Sequence, residues 1–140
     1  MSISFTIPGK PFAKERHRVG VVGGHARAFT APKTRSFEQK VAEIAVPMFA
    51  VPIQGAVRLR IVATFEIPKS WSKKRRAEML GAYHTHRPDA DNLAKSILDG
   101  LNRVAFADDA QVADQRCVKR WGQYAETYVE VAPLSLDGGA

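Results

Sequence analysis

Two aspartates one residue apart, Asp89 and Asp91, open the stretch HRPDADNLAKSILDGLNRVAFADDAQV, and a second pair, Asp108 and Asp109, closes it. Lys95 and Asp99 stand between the pairs. Carboxylates crowded this closely repel one another unless a cation sits among them. Alternate side chains of an extended backbone share a side, so Asp89 and Asp91 can converge. Pro88 biases Arg87 toward that extended form. An all-oxygen donor set without His or Cys suits a hard cation, Mg2+ or Mn2+. Such an ion can hold a phosphate oxygen and activate water. Lys95 lies one helical turn after Asp91, where its ammonium can stabilise charge on an attacked phosphate.

Each residue also has a plainer use. Asp89 or Asp91 can cap a helix, Asp108 and Asp109 can form a turn, and Asp91 with Lys95 can be a solvent-exposed i,i+4 pair. These uses explain the residues singly. They do not explain why the acids gather here, in a chain of 140 residues with 21 Lys and Arg against 14 Asp and Glu, a formal net charge of +7 and a pI of about 9.9. A basic domain of this size suits nucleic acid, because its cations displace counterions condensed on phosphate. A basic surface would draw in the polyanion, and a small acidic pocket would hold the metal that cuts it.

The cations fall into two groups. Lys10, Lys14, Arg16, Arg18, Arg27, Lys33 and Arg35 form an arm whose glycines let backbone approach DNA, so phosphate contact is the expectation. For the run Lys73–Arg76, phosphate contact and a solvated face are equal readings. Phe12 and Trp71 can wedge at a branch point, but a core or interface role is the stronger expectation. His84, His86 and Cys117 match no usual zinc spacing, and Cys117 reads as a small buried strand residue. With one cysteine there is no internal disulfide. No apolar run approaches the roughly 20 residues of a membrane helix, and MSISFTIPGK lacks the regions of a signal peptide, so a cytoplasmic location without membrane contact is expected.

The elements that must position the acids follow from periodicity. Ser2–Pro8 and Gly55–Ile67 alternate as strands. Gly9–Thr30 reads as a flexible hairpin or loop, and Thr34–Val46 as a helix ended by Pro47. Ser72 caps a short helix to about Leu80, with Gly81 as its stop, and a polar loop spans Ala82–Ala90. Asp91–Ala105 is the strongest helix: Leu93, Ala94, Ile97, Leu98, Leu101, Val104 and Ala105 fill one arc, while Asp91, Lys95, Asp99 and Asn102 fall on another. Strands at about Gln111–Trp121 and Glu126–Ala132 follow, and the tail from Ser135 frays. The order predicts one α+β domain over 1–140, a mixed or antiparallel sheet packed by about three helices. A helix of that length holds the two acid pairs roughly 20 Å apart. Only the tertiary fold can bring them together, most simply if the strand after Asp109 runs back along the helix.

Three blocks in this stretch resemble the RusA family of bacterial and prophage Holliday-junction resolvases. They are Pro88-Asp89-Ala90-Asp91-Asn92-Leu93-Ala94-Lys95, then Leu98-Asp99-Gly100-Leu101, then Asp108-Asp109-Ala110-Gln111-Val112. Weaker likeness extends to Pro11–Arg18, Phe29–Lys33 and Pro68–Ser72, so nearly the whole chain is covered. The resemblance implies a Mg2+-dependent endodeoxyribonuclease acting as a homodimer on four-way junctions in recombination and repair, with no organic cofactor. It implies metal ligands at Asp89, Asp91 and Asp109 and an essential Lys95. The spacing from the helix to the Asp pair is one residue shorter than in the family pattern, which keeps Asp108 as the alternative third ligand. Asp99 is expected to orient its neighbours. Arg87 joins Lys10, Lys14, Arg16, Arg18, Arg27 and Lys33 as an expected DNA contact. The rival readings are a non-cleaving DNA-binding or packaging accessory and a nuclease preferring flaps or forks.

Overall fold

Alternating apolar residues set the strands, and a computed structural model of the chain shows how they assemble. It describes residues 2–14, 18–29 and 31–135, with side chains for all of these except 18–22 and 25–29. Strands β1 (Ile3–Pro8), β2 (Arg18–Val22) and β3 (His25–Phe29) precede helix α1 (Pro32–Ala45). Strand β4 (Val57–Glu66), helices α2 (Lys73–Met79) and α3 (Ala90–Leu101), and strands β5 (Val112–Gly122) and β6 (Glu126–Pro133) follow. The result is one compact α+β domain. Its four-stranded sheet has the order β1-β6-β4-β5, and β2 pairs with β3 in a separate hairpin.

The sheet is mixed. β4 runs parallel to β5 and antiparallel to β6, and β1 runs antiparallel to β6. On β4, Val57, Leu59, Ile61, Ala63 and Phe65 are buried, as the strict alternation requires. Val129 and Val131 of β6 and Phe5 and Ile7 of β1 join them on the covered face, where Val41 of α1 and Ile97 and Leu101 of α3 complete the core. β5 and β6 are consecutive in sequence yet do not pair: β4 lies between them.

Two local features differ from the sequence expectation. The helix expected over Asp91–Ala105 ends at Leu101, because Asn102 turns extended and Arg103 adopts a positive φ of 69°. The apolar arc continues through Ala105 because that residue and Phe106 enter the core from a turn instead. The helix expected from Thr34 starts at Pro32, which suits a first turn because proline's missing N–H has no helical partner there. Pro47 lies in a short 3-10 turn, Val46–Met48, that follows α1. Ser72 caps α2 as expected, its hydroxyl accepting from the Arg75 amide at 3.2 Å. Residues 136–140, most of the tail expected to fray, lie outside the described residues.

Gly100 sets the distance between α1 and α3. A Cβ at that position would fall 2.7 Å from the Cβ of Val41 and 2.8 Å from its Cγ1. Only glycine lets the two helices close to this separation without a shift.

Candidate active site

The acids sit at the two ends of a seam between α3 and β5. Asp89 is the N-cap residue of α3, in an extended conformation, but its carboxylate makes no cap hydrogen bond. Asp91 lies in the first turn. Both are exposed, and among the described residues neither carboxylate has a hydrogen bond or ion pair. The capping reading of Asp89 is therefore not what the geometry shows. Arg87–Pro88, just upstream, is a cis peptide.

At the other end, the turn before β5 is fixed by Gln111. Its Oε1 accepts from the amides of Ala107 at 2.8 Å and Asp108 at 3.0 Å, and its Nε2 donates to the carbonyls of Ile53 and Gly55, each at 2.9 Å. Asp108 is the N-cap residue of the 3-10 turn Asp109–Gln111, and its carboxylate accepts from the Ala110 amide at 3.3 Å. This is a capping box, and the spacing Asp108-x-x-Gln111 was visible in the sequence. With Asp108 occupied in the cap, Asp109 is the acid that reaches the helix: its Oδ2 lies 3.3 Å from the Lys95 ammonium.

Lys95 bridges two carboxylates, Asp109 and, at 3.4 Å, Asp99 one turn along its own helix. Partial burial pulls the ammonium toward losing its proton, but Asp99 and Asp109 outweigh that and hold its pKa above the ordinary lysine value. Lys95 is thus a fixed cation and not a base at neutral pH. Asp99 also pairs with Lys14, so one carboxylate orients both lysines. The segment carrying Lys14 is strapped to α3: the Lys14 amide donates to the Asn92 carbonyl at 3.1 Å, and the Ser96 hydroxyl donates to the Phe12 carbonyl at 2.7 Å.

From Val112, immediately after that turn, β5 runs back along α3. Near its far end Lys119 donates to the carbonyls of His86 at 2.7 Å and Pro88 at 2.8 Å, which fixes the loop immediately before Asp89. Sequence reasoning missed Lys119, since nothing local pairs it with residues some thirty positions earlier. Midway, Cys117 faces the seam. Burial pushes its thiol up to about 11, and the Asp91 charge adds to the rise.

The fold therefore brings Asp109 to Lys95; Asp91 lies one turn before Lys95 on α3 and Asp89 precedes the helix, both without a bonded partner among the described residues. Among the described residues no three His, Cys, Asp or Glu side chains are grouped as a metal site. The donor set still fits a hard cation in kind, with carboxylate oxygens at Asp89 and Asp91 that have no other partner among the described residues.

The other expected contacts divide. Lys10 and Arg87 come together on the rim of one cavity. Lys33 is exposed on the first turn of α1, and Lys14 is engaged by Asp99. Arg16 and the side chains of Arg18 and Arg27 lie outside the described residues. Phe12 stacks on Phe37 of α1 at 5.0 Å, and Trp71 packs edge-on to Trp121 under the Arg75 guanidinium, so both serve packing. No described helix is long and apolar enough to cross a membrane.

A family model described as Endodeoxyribonuclease RusA matches residues 8–132. The chain is also similar to YqaN of Bacillus subtilis (strain 168), an uncharacterised protein, with 31% identity over 138 residues that cover 95% of this chain and 97% of that one. An acid-flanked helix, a lysine bridged to a distant aspartate and a match over nearly the whole chain lead to one conclusion: the chain belongs to the RusA endodeoxyribonuclease family.

Proposed function

We propose that the chain is a metal-dependent endodeoxyribonuclease that resolves four-way DNA junctions. The observation that carries the reading is the Lys95–Asp109 contact across fourteen residues, beside two unpartnered aspartates. Family membership supplies the reaction class. Asp89, Asp91 and Asp109 would hold a divalent cation, Mg2+ or Mn2+, which supplies Lewis-acid polarisation of the phosphoryl oxygen and an activated water.

The chain's own residues do the rest. Lys95, held protonated by Asp99 and Asp109, places a positive charge where negative charge develops on the attacked phosphate. Asp99 orients it. Lys10, Arg87, Lys33 and the arm carrying Arg16, Arg18 and Arg27 hold phosphates along the junction. Each chain carries one such acidic stretch. Opposed cuts in a junction need two, which a two-fold homodimer provides. The setting is DNA recombination and repair in the bacterial cytoplasm, as a host or prophage protein.

The test is a Mg2+ titration with labelled four-way junction, run beside fork, flap and duplex substrates. Paired nicks in the junction at metal concentrations that leave duplex intact support the reading. Binding without cleavage at any Mg2+ or Mn2+ concentration would identify a non-cleaving accessory, and preferential cutting of forks or flaps would change the substrate.

A further inference from the structure

Next to the proposed metal-binding acids lies a cavity of about 370 Å3 that the hydrolytic chemistry does not use. Lys10, Phe65, Glu66, His84, Arg87 and Trp121 line it. Pro88 also borders it, so it opens one residue from Asp89. Its volume is at the small end of ligand pockets, which run from roughly 300 to 1,000 Å3, and suits a single small planar group.

Its walls have two characters. The floor is aromatic and buried: the His84 ring stacks on Phe65 with centroids 3.8 Å apart and tilts against Trp121 at 4.5 Å. His84 is only 6% exposed, and among the described residues its Nδ1 is buried without a hydrogen-bond partner. Burial, together with the nearby charges of Lys119 and His86, lowers the pKa of this imidazole and keeps it neutral. The rim is charged. Lys10 and Arg87 converge there from distant parts of the chain, and among the described residues neither has an acidic partner. Glu66 adds one exposed carboxylate.

An aromatic floor under two unpaired cations, beside a phosphodiester-cleaving centre, is the chemistry of a nucleotide site. Bases stack on aromatic rings whatever their sequence, cations hold their phosphates, and a carboxylate accepts from an exocyclic amine. We propose that this cavity receives one unstacked nucleobase flanking the scissile phosphate. Lys10 and Arg87 hold the adjoining phosphates, and Glu66 favours a base that carries an amino group. The proposal rests on the nuclease reading above. It adds to it a pocket that selects where along the strand the cut falls. Extruding a base is least costly where pairing is already lost, as at a branch point.

The experiment uses junctions with a single abasic nucleotide at each position flanking the cut. Single-turnover cleavage with Mg2+ and metal-free binding are measured for the natural protein, for Ala125→Trp, at a half-buried residue that also lines the cavity and where the larger side chain would plug it, and for Glu66→Gln. Thermal melting checks each fold. With the natural protein, one abasic position should lower cleavage about tenfold, the effect of losing one stacked base. Ala125→Trp should lose a similar factor on the intact junction and become indifferent to that abasic position. Glu66→Gln should alter the preference among the four bases there and leave cleavage of the abasic junction unchanged. Abasic positions that never matter, or that matter equally to natural and plugged protein, overturn the proposal. If Ala125→Trp does not fold, Glu66→Gln at its exposed position decides alone. If the natural protein cuts no junction, the nuclease reading fails, and the same coupling in the binding data decides whether the cavity takes a base.

Discussion

The Lys95 ammonium lies 3.3 Å from the Asp109 carboxylate, although a helix end and a turn separate the two residues, which are fourteen positions apart in the chain. Asp99 holds the same ammonium at 3.4 Å. A lysine gripped by two carboxylates stays charged, and its position is set by α3 and by the turn before β5 together.

That grip makes Lys95 a charge stabiliser whose loss is felt in the transition state. Lys95→Ala should bind junction as well as the natural protein and cut it about 10^2- to 10^3-fold more slowly, as when one transition-state donor is removed. Because the folded pKa is raised, the ion pairs contribute fully below the unfolded lysine value and are lost only as pH rises through the folded one. The pH–rate profile should therefore show no basic limb assignable to Lys95 near neutral pH. A limb there that disappears in Lys95→Ala would make Lys95 a base.

The two acids of the turn should behave oppositely. Asp108 is occupied in a capping box, a role that asparagine also fills. Asp108→Asn should fold and cut near the natural rate, whereas Asp109→Asn should bind and fail to cut. Single-turnover rates of the two purified variants decide, and the reverse order would move the third ligand to Asp108.

Junction affinity should fall log-linearly with salt, because phosphate contacts release counterions. Replacing Arg16 and Arg18 together with alanine should weaken binding and reduce the slope by about one per lost phosphate contact. Titration by fluorescence anisotropy between low and moderate salt measures it. An unchanged slope would exclude the arm from the phosphates.

Much of the fold was legible because burial and periodicity coincide. β4 alternates strictly, and Ser72 and Gly81 bracket α2 as written. The end of α3 was not legible, since Val104 and Ala105 keep helical spacing while entering the core from a turn. Nor was the separation of β5 and β6 by β4, because sheet order depends on pairing between distant segments. The candidate acids were legible by type and spacing. The contact of Asp109 with Lys95 and the Lys119 clasp on the loop before Asp89 were not, because both exist only once β5 lies along α3.

Gly100 carries a prediction about stability. Gly100→Val forces a side chain into Val41 across the α1–α3 contact, and overpacking of this kind costs about 1–3 kcal/mol. Denaturant unfolding should show a lower midpoint with an unchanged slope. A midpoint equal to that of the natural protein would mean that the two helices can separate freely at this point.

The most direct measurement is the behaviour of Asp91→Asn toward junction DNA. Asparagine keeps the shape at the mouth of α3 and removes one negative charge from the proposed cation site. Metal-free binding and Mg2+-dependent cleavage are measured on the same folded preparation. Binding should equal or exceed that of the natural protein, since one carboxylate no longer repels phosphate, while cleavage is lost. Cleavage near the natural rate would contradict the proposed cation site, and joint loss of binding and cleavage would assign Asp91 to folding or docking instead.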